Sequence, residues 1–208
     1  LEEHGALGCP SCSHIHGRCM DAVYPFLYMA DITGDQKYTE AAKLVMTWAE
    51  NNVSQENGAW TVIKNPKSWK GITVFGAIAL AEALHYHGHV LDEEIRDAWT
   101  KRLAKAAQFI YDEFTISFTN INYGGTAIYG LDLLGDVLNN TILKEKSKQL
   151  AEDIKLYFTT NEGLLFGECK PDSKKLSQKG LHGVDLGYNV EETLNSIVMY
   201  ALKNNDEE

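Results

Sequence analysis

Two kinds of hydrophobic pattern alternate along the chain. Residues Tyr24 to Ile32 are apolar on nearly every side, and after the turn Thr33-Gly34-Asp35 a second stretch sets Tyr38, Ala41, Ala42, Val45 and Ala49 on one stripe. Lys37, Glu40, Lys43 and Glu50 fall largely off that stripe, so the pattern predicts a helical hairpin over Tyr24 to Asn51. The arrangement recurs. Val74 to Tyr86, packed with Ala77, Ile78, Leu80, Ala81 and Leu84, precedes Asp92 to Phe114, whose stripe is Ile95, Trp99, Leu103, Ala106 and Ile110. The acidic start Asp92-Glu93-Glu94 suits a helix N-terminus. A third hairpin pairs Gly124 to Leu138 with Leu143 to Phe158, and a fourth begins at Glu191 and is cut off after Tyr200-Ala201-Leu202-Lys203-Asn204-Asn205.

The repeat is about 50 to 65 residues long, at the upper edge of the periods of helical arrays. A helix that is apolar all round must be covered all round, so the first helix of each pair belongs to an inner layer and the striped one to an outer layer. The expected fold is all-α: an incomplete (α/α)n toroid of helical hairpins with long inter-hairpin loops, residues 1–208 forming part of one domain of a longer chain. An open superhelix or an ordinary bundle is the alternative. The loops at residues 52–72 and 159–190 hold most of the Gly, Trp and polar residues, and loops of such length either carry function or contain short strands.

Composition narrows the picture. In 208 residues, 44% hydrophobic and 10% aromatic content supports a real core, which excludes a disordered chain. The net charge of −10 argues against general nucleic-acid binding, which needs a basic face. An anionic sugar is still compatible, because local cations and helix N-termini matter more than net charge. No apolar run is long enough to span a bilayer, and the first residues do not form a signal peptide.

The chemistry-bearing segments precede the inner helices. Cys9, Cys12 and Cys19 lie in Cys9-Pro10-Ser11-Cys12-Ser13-His14-Ile15-His16-Gly17-Arg18-Cys19, with Cys169 far away. Zinc, a disulfide, or reduced and packed thiols are all compatible with that spacing. His14, His16, Arg18 and Asp21 follow, offering cationic and acid/base groups, or simply an Arg18–Asp21 ion pair beside loop histidines. Asn120-Ile121-Asn122-Tyr123-Gly124-Gly125 offers hydrogen-bond donors at a helix N-terminus; alternatively Asn122 is an N-cap and Tyr123 core. The segment Lys179 to Glu192 carries the acid/base groups His182, Asp185, Tyr188 and Glu191 among glycines that let a ligand approach the backbone, though Glu191 and Glu192 also favour a helix N-terminus. His85, His87 and His89 sit at a helix end, where they suit the dipole better than a metal. On the expected architecture, one mouth of the ring is lined by His14, His16, Arg18, Asp21, Asn120, Asn122, Tyr123, His182, Asp185 and Tyr188. Trp60 and Trp69 are candidates to stack on sugar faces, or core residues.

The alternating helices, the turn Thr33-Gly34-Asp35-Gln36-Lys37-Tyr38 and the segment Asn120-Ile121-Asn122-Tyr123 resemble those of α/α-toroid carbohydrate-active enzymes. These include heparinase-type polysaccharide lyases and six-hairpin glycosidases. The cysteine-rich entry departs from both. The resemblance implies an oligo- or polysaccharide substrate, no nucleic acid, a secreted or periplasmic enzyme, and a ring completed by the remainder of the protein or by a second chain. A toroid lyase removes the proton beside a uronate carboxylate and expels the 4-linked sugar by β-elimination. On that model Asn120 or Asn122 with Arg18 clamps the carboxylate, while His182 with Tyr188 or Tyr123 serves as base and acid. A glycosidase would use two carboxyls, with Asp21 and Asp185 the obvious pair. A noncatalytic glycan-binding or scaffold module is the third reading.

Overall fold

The computed structural model describes residues 1–9, 14–118, 120–159, 163–166, 187 and 192–206. These contain seven α-helices: α1 (Val23–Thr33), α2 (Gln36–Asn52), α3 (Thr73–His87), α4 (Glu93–Glu113), α5 (Ile121–Val137), α6 (Thr141–Ile154) and α7 (Leu194–Asn204). Short 3-10 turns stand at Gly17–Ala22, Gly88–Val90 and Lys155–Tyr157. Isolated bridges at Gly8–Ile15, Ser54–Trp60 and Phe158–Leu165 are the only β-pairing among the described residues.

The helices fall into two compact units: Leu1–Ile110 with Val137–Asn139, and Tyr111–Asp136 with Asn140–Glu208. In the first unit, α1 and α2 form the hairpin that the Thr33-Gly34-Asp35 turn predicts. Gly34 takes a left-handed conformation at φ 66°, and its N–H donates to the Ala30 carbonyl, closing α1. Asp35 then caps α2 by accepting from the Lys37 N–H. The buried face of α2 is Ala42, Val45, Met46, Trp48 and Ala49, and that of α4 in this unit includes Trp99, Leu103, Ala106 and Ile110. Both α1 and α3 pack against one another and against the turn Gly17–Ala22.

The long connection from α2 to α3 is fastened from below. Glu50 accepts from Arg102 Nε and Trp60 Nε1, while Arg102 donates its terminal nitrogens to the carbonyls of Gly58 and Ala59. Thr73, the first residue of α3, accepts from the Trp60 N–H through its hydroxyl. The loop therefore acquires a fixed shape without strands, because its buried polar groups are paired by side chains.

In the second unit, residues Gly124 to Gly135 of α5 are buried without a break, as an inner helix requires. Against it α6 lays the stripe Leu143, Ser147, Leu150, Ala151 and Ile154, and the Ser147 hydroxyl donates to the Ile128 carbonyl. Buried Asp132 and its neighbour Asp136 are bridged by Lys144 from α6 and Lys203 from α7. That network ties α7 to the C-terminal end of α5. The sequence pattern starts α5 at Gly124, whereas the helix begins at Ile121. Asn122 is consequently inside the first turn and is not the N-cap.

Candidate functional site

In the first unit the segment ahead of α1 is set against the loop ahead of α3. The Gly17 N–H donates to the Val62 carbonyl at 2.6 Å, and a Cβ on Gly17 would stand 1.9 Å from the Thr61 carbonyl oxygen, so only glycine admits this approach. The next residue, Arg18, lies over the Phe75 ring on the first turn of α3, 4.5 Å from its centroid. Its Nε donates to Asp21 Oδ2 at 2.8 Å. The guanidinium is half exposed, and its two terminal nitrogens make no hydrogen bond among the described residues. A planar donor fork is thus held by one edge and one face with its outer edge open, the geometry suited to a carboxylate.

Asp21 has the opposite environment. Burial pushes its carboxyl above the usual carboxylate range, opposed by the charge and hydrogen bond of Arg18. Its Oδ1 is buried with no hydrogen-bond partner. The expected alternative, an Arg18–Asp21 ion pair, is therefore present, and it leaves both an open guanidinium edge and an orphaned oxygen.

Unpaired buried oxygens mark the second unit too. Asn122 is buried at 3% exposure and donates from Nδ2 to the Glu192 carboxylate, leaving Asn122 Oδ1 without a partner. Thr126 Oγ1, one turn further along α5, and Thr193 Oγ1, just before α7, are likewise unpaired. In the first unit Asp21 Oδ1 lies just before α1; in the second, Asn122, Thr126 and Thr193 lie within the first two turns of α5 or just before α7. Buried polar groups of this kind are ordinarily paired with protein, water or a ligand. Tyr123 is half-buried, and the Asn120 carbonyl accepts from its N–H. Glu192, whose charge suits a helix N-terminus, is singled out by its pairing with Asn122, 70 residues away, and Thr126 and Thr193 only by their unpaired hydroxyls.

Other expectations change. Trp60 is fully buried beneath the Arg102 guanidinium and cannot stack on a sugar; it is a core residue, because its N–H and its ring face are both engaged. Trp69 is exposed at 37% and lies along the backbone of Gly71. The rings of His14 and His16 lie 6.4 Å apart between centroids, tilted at 51°. Cys19 is a free thiol, and burial pushes it up to about 11. Among the described residues no group of three His, Cys, Asp or Glu side chains is arranged to hold a metal ion. His87 and His89 bond Asp31 of α1 at 2.8 and 2.9 Å, a role the helix-end reading did not supply. Cys12, His182, Asp185 and Tyr188 lie outside the described residues.

With this geometry in place, the comparisons with known proteins locate the chain. It is similar to a broad-specificity ulvan lyase of Formosa agariphila, 78% identical over 207 residues that cover the whole of this chain and 32% of the relative. The chain thus spans about a third of that curated relative's length. Among solved structures it is similar to a sugar epimerase from a ruminal bacterium, with TM-score 0.64 and 13% identity over 93% of this chain and 55% of the other. A family 105 glycoside hydrolase of C. acetobutylicum gives TM-score 0.62 and 14% identity over 92% of this chain and 65% of the other. These structural likenesses carry the fold alone, an all-α, incomplete toroid of helical hairpins. The family model for the ulvan lyase N-terminal domain matches residues 1–208, and the chain belongs to that family.

Proposed function

We propose that this chain supplies substrate-binding groups to a polysaccharide lyase that cleaves a uronate-containing glycan by β-elimination, with ulvan as the substrate class. The observation that carries this reading is the 78% identity, over the whole chain, to a protein named as a broad-specificity ulvan lyase. The open edge of Arg18 and the orphaned oxygens before the inner helices support it chemically.

The reaction removes the proton on C5 of the uronate, breaks the C4–O bond to the preceding sugar and forms a C4=C5 double bond, and the departing oxygen takes a proton. The C5 proton is poorly acidic while the adjacent carboxylate keeps its full charge. Arg18 of the first unit supplies a fork that neutralises such a carboxylate, stabilising the charge that develops as the proton leaves, and Asn120 and Asn122 of the second unit are amide donors of the type that does the same. His182 accepts the proton and Tyr188 or Tyr123 protonates the departing oxygen; His182 and Tyr188 are assigned by residue chemistry and by their place before an inner helix. Asp21 acts as a positioning residue, fixing the Arg18 fork through Nε. Hydrolysis would need a second carboxyl across the bond from Asp21, whose Oδ2 is already engaged by Arg18, and the relative's name favours elimination.

The remainder of the same protein, or a second chain, completes the ring. In support, Leu194, Val198, Met199 and Leu202 of α7 are exposed on one face, an apolar stripe of the kind that an outer helix covers on α5.

The test is incubation of the full-length protein with ulvan while ultraviolet absorbance is followed. Absorbance from a conjugated unsaturated uronate, growing in step with chain cleavage, is the expected result. New reducing ends without that absorbance would overturn elimination.

A further inference from the structure

The loop between α2 and α3 carries a second polar feature that the catalytic proposal does not use. Lys64, Lys67 and Lys70 follow one another at intervals of three residues, and none makes an ion pair among the described residues. In a chain of net charge −10, a run of unneutralised cations is a local reversal of the field.

Lys64 and Lys70 line an open depression of ≈ 700 Å³ together with Asn51, Gln55, Glu56 and Asn57. The amide groups there are half used. Gln55 Nε2 donates to the carbonyls of Val53 and Ser54, leaving its Oε1 as an acceptor. Asn57 Oδ1 accepts from the Ala59 N–H, leaving its Nδ2 as a donor, and Asn51 is exposed with no side-chain hydrogen bond among the described residues. The depression therefore has two edges. One is cationic; the other presents fixed amide donors and acceptors beside Glu56 and the C-terminal, negative end of α2. A simple anion is favoured at the first edge only. A ligand that alternates carboxylate or other acidic groups with neutral hydroxyls is favoured along both, because hydroxyls both donate and accept.

We infer that this depression is an accessory subsite for an acidic polysaccharide, binding an acidic sugar at Lys64 and Lys70 and the hydroxyls of its neighbour at Asn51, Gln55 and Asn57. The subsite is joined to the proposed clamp, because Val62, two residues before Lys64, accepts from Gly17, next to Arg18. The inference takes its polymer from the proposed function, and its test does not depend on turnover.

The experiment is affinity electrophoresis of the full-length protein in gels containing ulvan or, as a neutral control, dextran. The double variant Lys64→Gln/Lys70→Gln is compared with Lys101→Gln/Lys148→Gln, which removes the same charge from exposed positions on α4 and α6. Retardation by ulvan and not by dextran is expected for the wild type. The loop variant should bind roughly three- to tenfold more weakly, the range for two partly exposed ionic contacts, while the control pair keeps wild-type affinity. If both double variants weaken equally, the effect is general charge and the subsite is wrong; equal binding by the loop variant and wild type would also overturn it. In parallel, the loop variant should show a raised KM on ulvan with kcat retained. Specific retardation without any lyase activity would reject the proposed reaction and leave the subsite standing.

Discussion

The Arg102 guanidinium lies over the Trp60 indole, 3.7 Å from the ring centroid, and both side chains converge on the carboxylate of Glu50. Burial lowers the pKa of Arg102 while the charge and hydrogen bonds of Glu50 pull the other way. This stack holds the α2–α3 loop, and with it the wall against which Gly17 and Arg18 are set.

Replacing Arg102 with Leu strands Glu50 and the carbonyls of Gly58 and Ala59. The expected loss is about 1–3 kcal/mol of unfolding free energy, since the Gly58 and Ala59 carbonyls lose their buried donors while Glu50, at 37% exposure, is left to water. Urea denaturation measures it. A loss below about 1 kcal/mol would mean that the pair behaves as an exposed surface bridge.

Gly17→Ala tests the contact beneath the clamp. Its new Cβ would collide with a backbone carbonyl, which cannot swing aside as a flexible side chain can. Destabilisation of about 1–3 kcal/mol is expected from such overpacking, together with weaker polysaccharide binding as Arg18 shifts. Wild-type stability and binding would place the loop further from Gly17 than the structure has it.

Asp21 and Arg18 give opposite signatures. A carboxyl whose folded pKa is raised above its unfolded one costs stability wherever it is ionised; the cost is absent below the unfolded value of about 4 and complete above the folded value. Asp21→Asn removes that cost while keeping an oxygen for Arg18 Nε, so it should raise Tm at neutral pH, with the gain fading in acid. Activity should fall at the same time, as expected where stability is sacrificed at a working site. Arg18→Lys keeps the charge but loses the planar fork, and kcat/KM on ulvan should drop about 10²-fold, the scale of losing one charge-stabilising donor. An Asp21→Asn protein with unchanged Tm and full activity would assign Asp21 to the surface.

The hydrogen bonds from His87, and then His89, hold the Asp31 carboxyl below the usual carboxylate range. A depressed acid contributes stability that is present above its unfolded value and is lost as pH falls through the folded one. Thermal melts from neutral to acidic pH should therefore show an acidic decline in Tm that Asp31→Asn flattens. An identical decline in the variant would assign the acid sensitivity to other carboxylates.

The hairpins were legible because their cause is local. Period and turn chemistry act within a few residues, so Gly34 and Asp35 marked the join of α1 and α2, and the unbroken apolar run of α5 marked an inner helix. The residue types of the clamp were visible for the same reason, Arg18 and Asp21 being three positions apart on one turn. What sequence could not determine is which polar groups lose water and which partner reaches them. Trp60 reads as a sugar platform until Arg102, 42 positions on, covers it, and Asn122 reads as a helix cap until Glu192 meets its side chain. Burial and pairing across such distances are properties of the packed helices, and they alone separate the open edge of Arg18 from the closed guanidinium of Arg102.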